Sequence, residues 1–179
     1  NAMTKVIRAE LLSIKKKYGI PRRTRIIQGR EAVFLAPDLN ADRELIFVMD
    51  RFGYAKTMEP SLFSRNEAAV RETARFCFPC RSNGKICLFT KGGRLYTLRT
   101  ADLPAGKLRD KGVPVDNVSN FDTTKEEILF AASQEALRLE KLVFVTESGM
   151  VKSVPGTEFD VSKKTVNATK LAEGDQLLF

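Results

Sequence analysis

The chain has 179 residues, of which 43% are hydrophobic, and its 30 Lys and Arg residues against 22 Asp and Glu give a formal net charge of +8. This length suits one or two domains with their own cores, and no apolar run approaches the ~20 residues that a membrane-spanning helix needs. Histidine, the commonest general base, is absent, and neither a Walker loop nor a Rossmann fingerprint occurs. We therefore expect no catalytic residue and no cofactor.

The positive charge is uneven along the chain. Residues 1–31 hold nine basic and two acidic residues, a net of +7, and residues 51–111 hold 13 and five, a net of +8. Residues 112–150 hold three against seven, a net of −4. Clustered cations suit a polyanion, because neutralised phosphates release their counterions. A solvated surface is the plain alternative, and since most Phe residues fall at strand positions, duplex backbone is a better partner than single-stranded bases.

The first predicted element is a helix over residues 4–18. Its apolar residues recur at spacings of 4, 3 and 4 and form a narrow seam that needs a partner surface. These are Ile7, Leu11, Ile14 and Tyr18. Gly19 and Pro21 end the helix. Residues 21–27 are predicted to be extended and basic, and residues 36–43 to form a polar connector.

Three later stretches share one pattern of an apolar strand, a short polar turn ending in glycine, and a second strand. They are residues 45–56, 86–96 and 142–152. Repeats of one such unit are typical of propeller-like or solenoid arrays. Residues 123–140 are ambiguous, because their Glu and Ala residues favour helix while the apolar run 128–132 suits a buried strand.

Cys77 and Cys80 form an isolated C-x-x-C motif in a chain with three cysteines and no histidine. A structural zinc site normally has four Cys or His ligands. We therefore interpret the cysteines as core residues and predict no metal site, with redox use as the lesser alternative.

Ordered motifs run through most of the chain. They are KYGIPRRTRI at residues 17–26, GRLYTL at 93–98, DLP at 102–104, RDKGVPVDNV at 109–118, TESGMVK at 146–152, TEF at 157–159 and LAEGD at 171–175. In this order they make residues 4–179 resemble the C-terminal domain of the A subunit of bacterial type IIA DNA topoisomerases, the family of DNA gyrase and topoisomerase IV.

The resemblance implies a mainly β fold: a partial β-pinwheel of about three propeller-like blades with an N-terminal α-helix. Residues 1–3 are interpreted as a tag remnant and start, because Asn1 and Ala2 precede Met3. The resemblance implies that residues 4–31 are a helix and basic junction from the cleavage core and that 32–179 are the DNA-binding blades, with 127–133 as a blade strand. The implied function is non-catalytic binding and bending of duplex DNA. The cleaving tyrosine belongs to a core absent from this chain, within an ATP-dependent bacterial isomerase that also contains a B subunit and acts on cytoplasmic, nucleoid DNA.

One departure from the family concerns its basic box, Gln-Arg-Arg-Gly-Gly-x-Gly. The corresponding residues 62–72 contain no glycine, and none occurs between Gly53 and Gly84. Glycine lets a backbone approach phosphate closely, so a topoisomerase IV-like or diverged gyrase-like domain is predicted. The chain stops at residues 176–179, which read as part of a strand, so we also expect an exposed apolar edge there, where two chains can pair.

Ten cations in or beside the turns and connectors are the predicted DNA contacts. They are Lys56, Lys91, Arg94, Arg99, Lys107, Arg109, Lys111, Lys152, Lys163 and Lys164. For any one of them an ordinary exposed cation is an equal alternative, so the prediction concerns the cluster. Base-specific reading is not expected. The alternative function is a protein-interaction or scaffold module that docks acidic partners or the rest of its own subunit.

Overall fold

The computed structural model of the protein describes residues 2–20 and 42–178, which belong to two compact units, Asn1–Leu39 and Asn40–Phe179. The first unit contains helix α1 (Ala2–Tyr18), which confirms the predicted helix. Its last turn is basic, and the Gly19 N–H donates to the Lys15 carbonyl at 2.8 Å. The predictions for residues 21–27 and 36–41 lie outside the described residues. No described helix is both long and apolar enough to cross a membrane.

The second unit is mainly β, as predicted. Its strands are β1 (Glu44–Asp50), β2 (Tyr54–Met58), β3 (Ala74–Arg81), β4 (Lys85–Thr90), β5 (Arg94–Arg99), β6 (Val113–Pro114), β7 (Ile128–Ser133), β8 (Lys141–Val145), β9 (Val151–Pro155) and β10 (Thr165–Asn167). Its helices are α2 (Pro60–Thr73), α3 (Val115–Val118) and α4 (Gln134–Arg138), with short 3₁₀ turns at Thr100–Asp102 and Gly156–Phe159.

The three predicted hairpins are confirmed as β1–β2, β4–β5 and β8–β9. Each turn closes in the same way: the glycine N–H donates to the carbonyl three residues earlier, at 3.0–3.3 Å. Gly53, Gly93 and Gly149 have φ values of 84°, 72° and 82°. This left-handed conformation is readily adopted only by glycine, which explains why glycine ends each turn.

Each four-stranded sheet includes one short strand that comes from the chain after the next hairpin. The orders are β3-β1-β2-β6 and β10-β5-β4-β7, with β8-β9 as a two-stranded sheet. In both four-stranded sheets the hairpin lies in the middle, and its first strand pairs with the next long strand along the chain. The hairpin's second strand pairs with a short strand that follows the next hairpin. Residues 176–178 lie along the end of β8: the Leu178 N–H donates to the Val145 carbonyl and the Glu147 N–H to the Gln176 carbonyl, both at 2.9 Å. Pairing of this C-terminal edge with another chain stays a prediction.

The hydrophobic core explains the continuous apolar runs of β1 and β4. Residues 46–49 and 86–90 are buried without interruption, as expected when both faces of a strand are covered. Phe89 is 2% exposed and lies 5.1 Å from Phe159 and 6.1 Å from Phe144, measured between ring centroids. Its ring therefore links the second sheet to the third hairpin.

The ambiguous stretch 123–140 divides at Ser133. Residues 128–133 form β7, which pairs antiparallel with β4 and confirms the predicted blade strand. The helix propensity is expressed directly afterwards in α4, whose first turn is capped by the Ser133 hydroxyl accepting from the Ala136 N–H at 3.4 Å. Within residues 123–140, strand pairing therefore overrides helix propensity only at the apolar run 128–132.

Two of the three cysteines are core residues, while Cys77 is only partly buried. Cys80 and Cys87 are buried and carry free thiols. Burial raises the pKa of Cys80 to about 11 and that of Cys87 to about 12, so both are protonated at neutral pH. Within the described ranges no group of three or more metal-ligating side chains comes together.

Candidate nucleic-acid interface

Two loops occupy equivalent places in the two four-stranded sheets. The first connector, residues 104–112, leads into β6, and the second connector, residues 161–164, leads into β10. Thr57 and Thr97 each lie four residues after the glycine of their turn. The Thr57 N–H donates to the Pro104 carbonyl, and the Thr97 N–H to the Lys164 carbonyl, both at 2.9 Å. Each connector is therefore fixed along the second strand of its hairpin.

The connectors carry most of the free positive charge among the ten candidates. Six candidates are exposed and form no ion pair with another described residue. They are Lys107, Arg109 and Lys111 on the first connector, Lys163 and Lys164 on the second, and Lys152 on β9. The Lys107 N–H donates to the Asp110 Oδ2 at 2.8 Å, which folds the first connector into a turn. Unpaired exposed cations of this kind can replace the counterions of a phosphate backbone.

Glycine makes the path of the first connector possible. Gly112 has a φ of 85°, and a Cβ atom there would overlap the Ala55 carbonyl oxygen of β2. The connector backbone thus passes directly over the strand, at a distance that no other residue allows. This close approach keeps Lys111 beside the sheet.

Three other candidates are already paired with carboxylates. Lys91 Nζ lies 2.7 Å from Glu127, and Arg94 lies 3.2 Å from Glu126. Arg99 makes two hydrogen bonds to Asp102, at 2.8 and 3.0 Å. The hydrogen bond from Lys91 is the main cause that lowers the pKa of Glu127. A phosphate at these positions would meet a carboxylate as well as a cation, so they are weaker candidates than the connectors.

The structure corrects the prediction for Lys56. This residue is 7% exposed, and its ammonium group donates to the carbonyls of Lys107, Leu108 and Asp110 at 2.7, 3.1 and 2.6 Å. Burial lowers the pKa of Lys56, while Asp110 and Asp50 act in the opposite direction. Its three donors are taken by the first connector, which leaves none for phosphate.

Sequence reasoning missed the acidic residues beside the second turn. Glu126 accepts from the Tyr96 hydroxyl at 2.8 Å as well as pairing with Arg94, and Glu127 also lies 3.2 Å from Arg75. These contacts join residues 30 or more positions apart. In the sequence, only the net charge of −4 over residues 112–150 indicated that acidic groups are available to neutralise some of the cations in residues 51–111.

The fold defines a class of protein: a propeller-like β-pinwheel unit whose successive sheets exchange strands and carry basic connectors. A family model described as "DNA gyrase C-terminal domain, beta-propeller" matches residues 84–133 and 140–179. The chain belongs to this family.

Named relatives are consistent with this assignment. The chain is 25% identical over 185 residues to the A subunit of DNA gyrase from Streptococcus pyogenes serotype M1, covering 97% of this chain and 22% of the relative. It is 28% identical over 184 residues to the A subunit of DNA gyrase from Mycobacterium leprae, covering 97% and 14%. The chain thus spans less than a quarter of the length of these relatives.

Two solved structures share the fold. One is a crystal structure of the C-terminal domain of DNA topoisomerase IV, with a TM-score of 0.66 and 20% identity over 79% of this chain and 46% of that chain. The other is the E. coli ParC C-terminal domain, with a TM-score of 0.57 and 14% identity over 75% of this chain and 54% of that chain.

Proposed function

We propose that this chain binds duplex DNA through its phosphate backbone and bends it, as a non-catalytic domain in the A subunit of a type IIA topoisomerase. One observation carries this proposal. Exposed, unpaired cations recur on connectors that hold equivalent positions in two successive sheets. Repetition of charge at a repeated structural position gives a series of phosphate contacts, and such contacts fix DNA without reading its sequence.

The place of α2 supports a topoisomerase IV-like or diverged gyrase-like subtype. Residues 62–72, which correspond to the glycine-rich box, lie within this helix, with Pro60 at its start and Val70 buried. The helix is kinked at Asn66, where φ is −129° and ψ is 17°. Without glycine, neither of its two segments offers the close backbone approach of a glycine-rich loop. We therefore propose that DNA is held mainly by the connectors.

The same family assignment supports a proposal about context. The partners would be a cleavage core and the B subunit of an ATP-dependent, DNA-breaking-and-rejoining enzyme, acting on nucleoid DNA in the cytoplasm. In that assembly this chain would present a DNA segment to the cleavage core. Its own tyrosines would take no part in DNA cleavage.

Binding of a labelled duplex, measured against salt between ~50 and 200 mM, tests the proposal. Each phosphate contact adds about 0.9 to the slope of log affinity against log salt, so contacts from all six free cations give a slope of about −5. A duplex of unrelated sequence and equal length should compete equally well, because no base contacts are proposed.

A second function, protein docking, is favoured by helix α1. Leu11 and Tyr18 of its apolar seam are 61% and 67% exposed. We propose that this seam packs on the remainder of the parent protein. If duplex affinity is absent at low salt, docking becomes the leading function and the basic connectors become candidates for acidic protein partners.

A further inference from the structure

We propose that Lys56 is a positioning residue: it locks the first connector onto β2 and thereby sets where Lys107, Arg109 and Lys111 present their charge. The consequence for DNA rests on the proposed function. The lock itself is a property of the fold and can be measured without DNA.

The ammonium group of Lys56 is fully occupied by one short segment. Its three N–H donors match three carbonyl acceptors, all within residues 107–110 and all at 3.1 Å or less. A charged group taken out of water requires such compensation, because its lost hydration is otherwise very unfavourable. The three hydrogen bonds therefore form together, and the backbone of residues 107–110 folds around the ammonium group.

The side-chain stem of Lys56 is enclosed as well. A Cβ atom at Gly106 would lie 2.9 Å from Lys56 Cδ, and one at Gly112 would lie 3.2 Å from Lys56 Cβ. The Gly106 N–H also donates to the Thr57 carbonyl at 2.8 Å. The two glycines at the ends of the basic segment thus close over Lys56, so the path of the connector depends on this side chain.

The repeated hairpins supply a matched control. Lys56, Tyr96 and Lys152 each lie three residues after the glycine of their turn. Tyr96 uses its hydroxyl to hold Glu126, so this position contacts a later segment in both four-stranded sheets. Lys152 has the same residue type and register as Lys56, but it is exposed and its ammonium group has no hydrogen-bond partner among the described residues.

Loss of the lock should weaken DNA binding without removing a DNA contact. When the carbonyls of residues 107–110 lose the ammonium group, the connector gains alternative conformations. Binding must then order a flexible loop and its cationic side chains, which lowers affinity. Lys56 thus acts through the connector and not through its own charge.

Limited trypsin digestion tests the lock directly, because the connector offers cleavage sites after Lys107, Arg109 and Lys111. Lys56→Met should accelerate cleavage at these sites by about tenfold or more, since local opening becomes easier. Lys152→Met removes the same charge at the same register and should leave the rate unchanged. Equal rates in Lys56→Met and the unmodified chain, both folded by circular dichroism, overturn the proposal.

A second measurement uses the unmodified protein and so does not depend on a folded variant. Under mild acetylation, Lys56 should react at least about tenfold more slowly than Lys152, because its amine is buried and fully hydrogen-bonded. Equal reactivity of the two lysines would show that the connector does not hold Lys56 and would overturn the proposal.

A double-mutant cycle separates positioning from charge. Lys56→Met should lower duplex affinity several-fold in the unmodified chain and have no further effect in a chain that carries Lys107→Gln, Arg109→Gln and Lys111→Gln. An equal loss in both backgrounds contradicts action through the connector. If the unmodified chain does not bind DNA, the proposed function fails, while the trypsin and acetylation results still decide the lock.

Discussion

Replacing Lys107, Arg109 and Lys111 together with glutamine is expected to lower duplex affinity on the order of a hundredfold at ~0.1 M salt, and to reduce the magnitude of the salt slope by about 2.7. The three side chains are exposed, lie on one connector and have no ion-pair partner in the described part of the chain. Each one can therefore release a counterion when it meets a phosphate. Fluorescence anisotropy of a labelled duplex over a salt series measures both quantities.

The matched control removes three positive charges from outside the connectors. Arg65, Lys141 and Lys170 are likewise exposed and unpaired among the described residues. Their replacement by glutamine changes the net charge by the same amount. The slope of log affinity against log salt should change by less than ~0.9, the value expected for a single phosphate contact. Equal effects of the two triple variants would mean that overall charge, and not the connectors, determines binding.

Phe89→Ala is expected to reduce the free energy of unfolding by about 3–5 kcal/mol. The ring is buried and makes an edge-to-face contact with Phe159 at a centroid distance of 5.1 Å, with Phe144 nearby at 6.1 Å. Its removal leaves a cavity where the second sheet meets the third hairpin. Because small domains are stable by only ~5–15 kcal/mol, the variant should unfold at a much lower urea concentration.

Phe52→Ala provides the control for that measurement. Phe52 lies in the first hairpin turn and is 85% exposed, so its removal should change the unfolding free energy by no more than about 0.5 kcal/mol. A loss below ~1 kcal/mol for Phe89→Ala would show that the aromatic cluster does not join these two parts of the fold.

The hairpins were predictable from sequence because their signals are local. A run of apolar residues, a polar turn and a glycine that needs positive φ lie within about a dozen residues of one another. The exchanged strands β6 and β10 were not predictable in this way. They have two and three residues, too few for any periodicity, and they pair with strands from an earlier hairpin.

The candidate site shows the same division between local and long-range information. Lys56 and Lys152 have identical positions relative to their turn glycines, so local sequence assigns them the same role. Only the folded connector distinguishes them, by burying one and leaving the other exposed. Likewise, Lys91 is separated from its partner Glu127 by 36 positions, and no spacing rule connects residues so far apart.

The charge count therefore points to the region that contains the first connector but overstates the number of available cations. Residues 51–111 have a net charge of +8, yet part of that charge is paired with carboxylates or buried in the fold. Within this region, the freely available candidates are concentrated on the first connector. The second connector, residues 161–164, lies outside this region and carries the exposed Lys163 and Lys164. The charge count alone did not single it out; its place in the second sheet, equivalent to that of the first connector, does.

Lysine acetylation with and without bound duplex, read out residue by residue by mass spectrometry, decides whether the two connectors hold the DNA. If the connectors hold the DNA, Lys107, Lys111, Lys163 and Lys164 lose reactivity when duplex is bound, while Lys141 and Lys170 keep theirs. Unchanged reactivity of both connectors in the DNA complex, or protection of Lys141 and Lys170 instead, would contradict binding through the connectors.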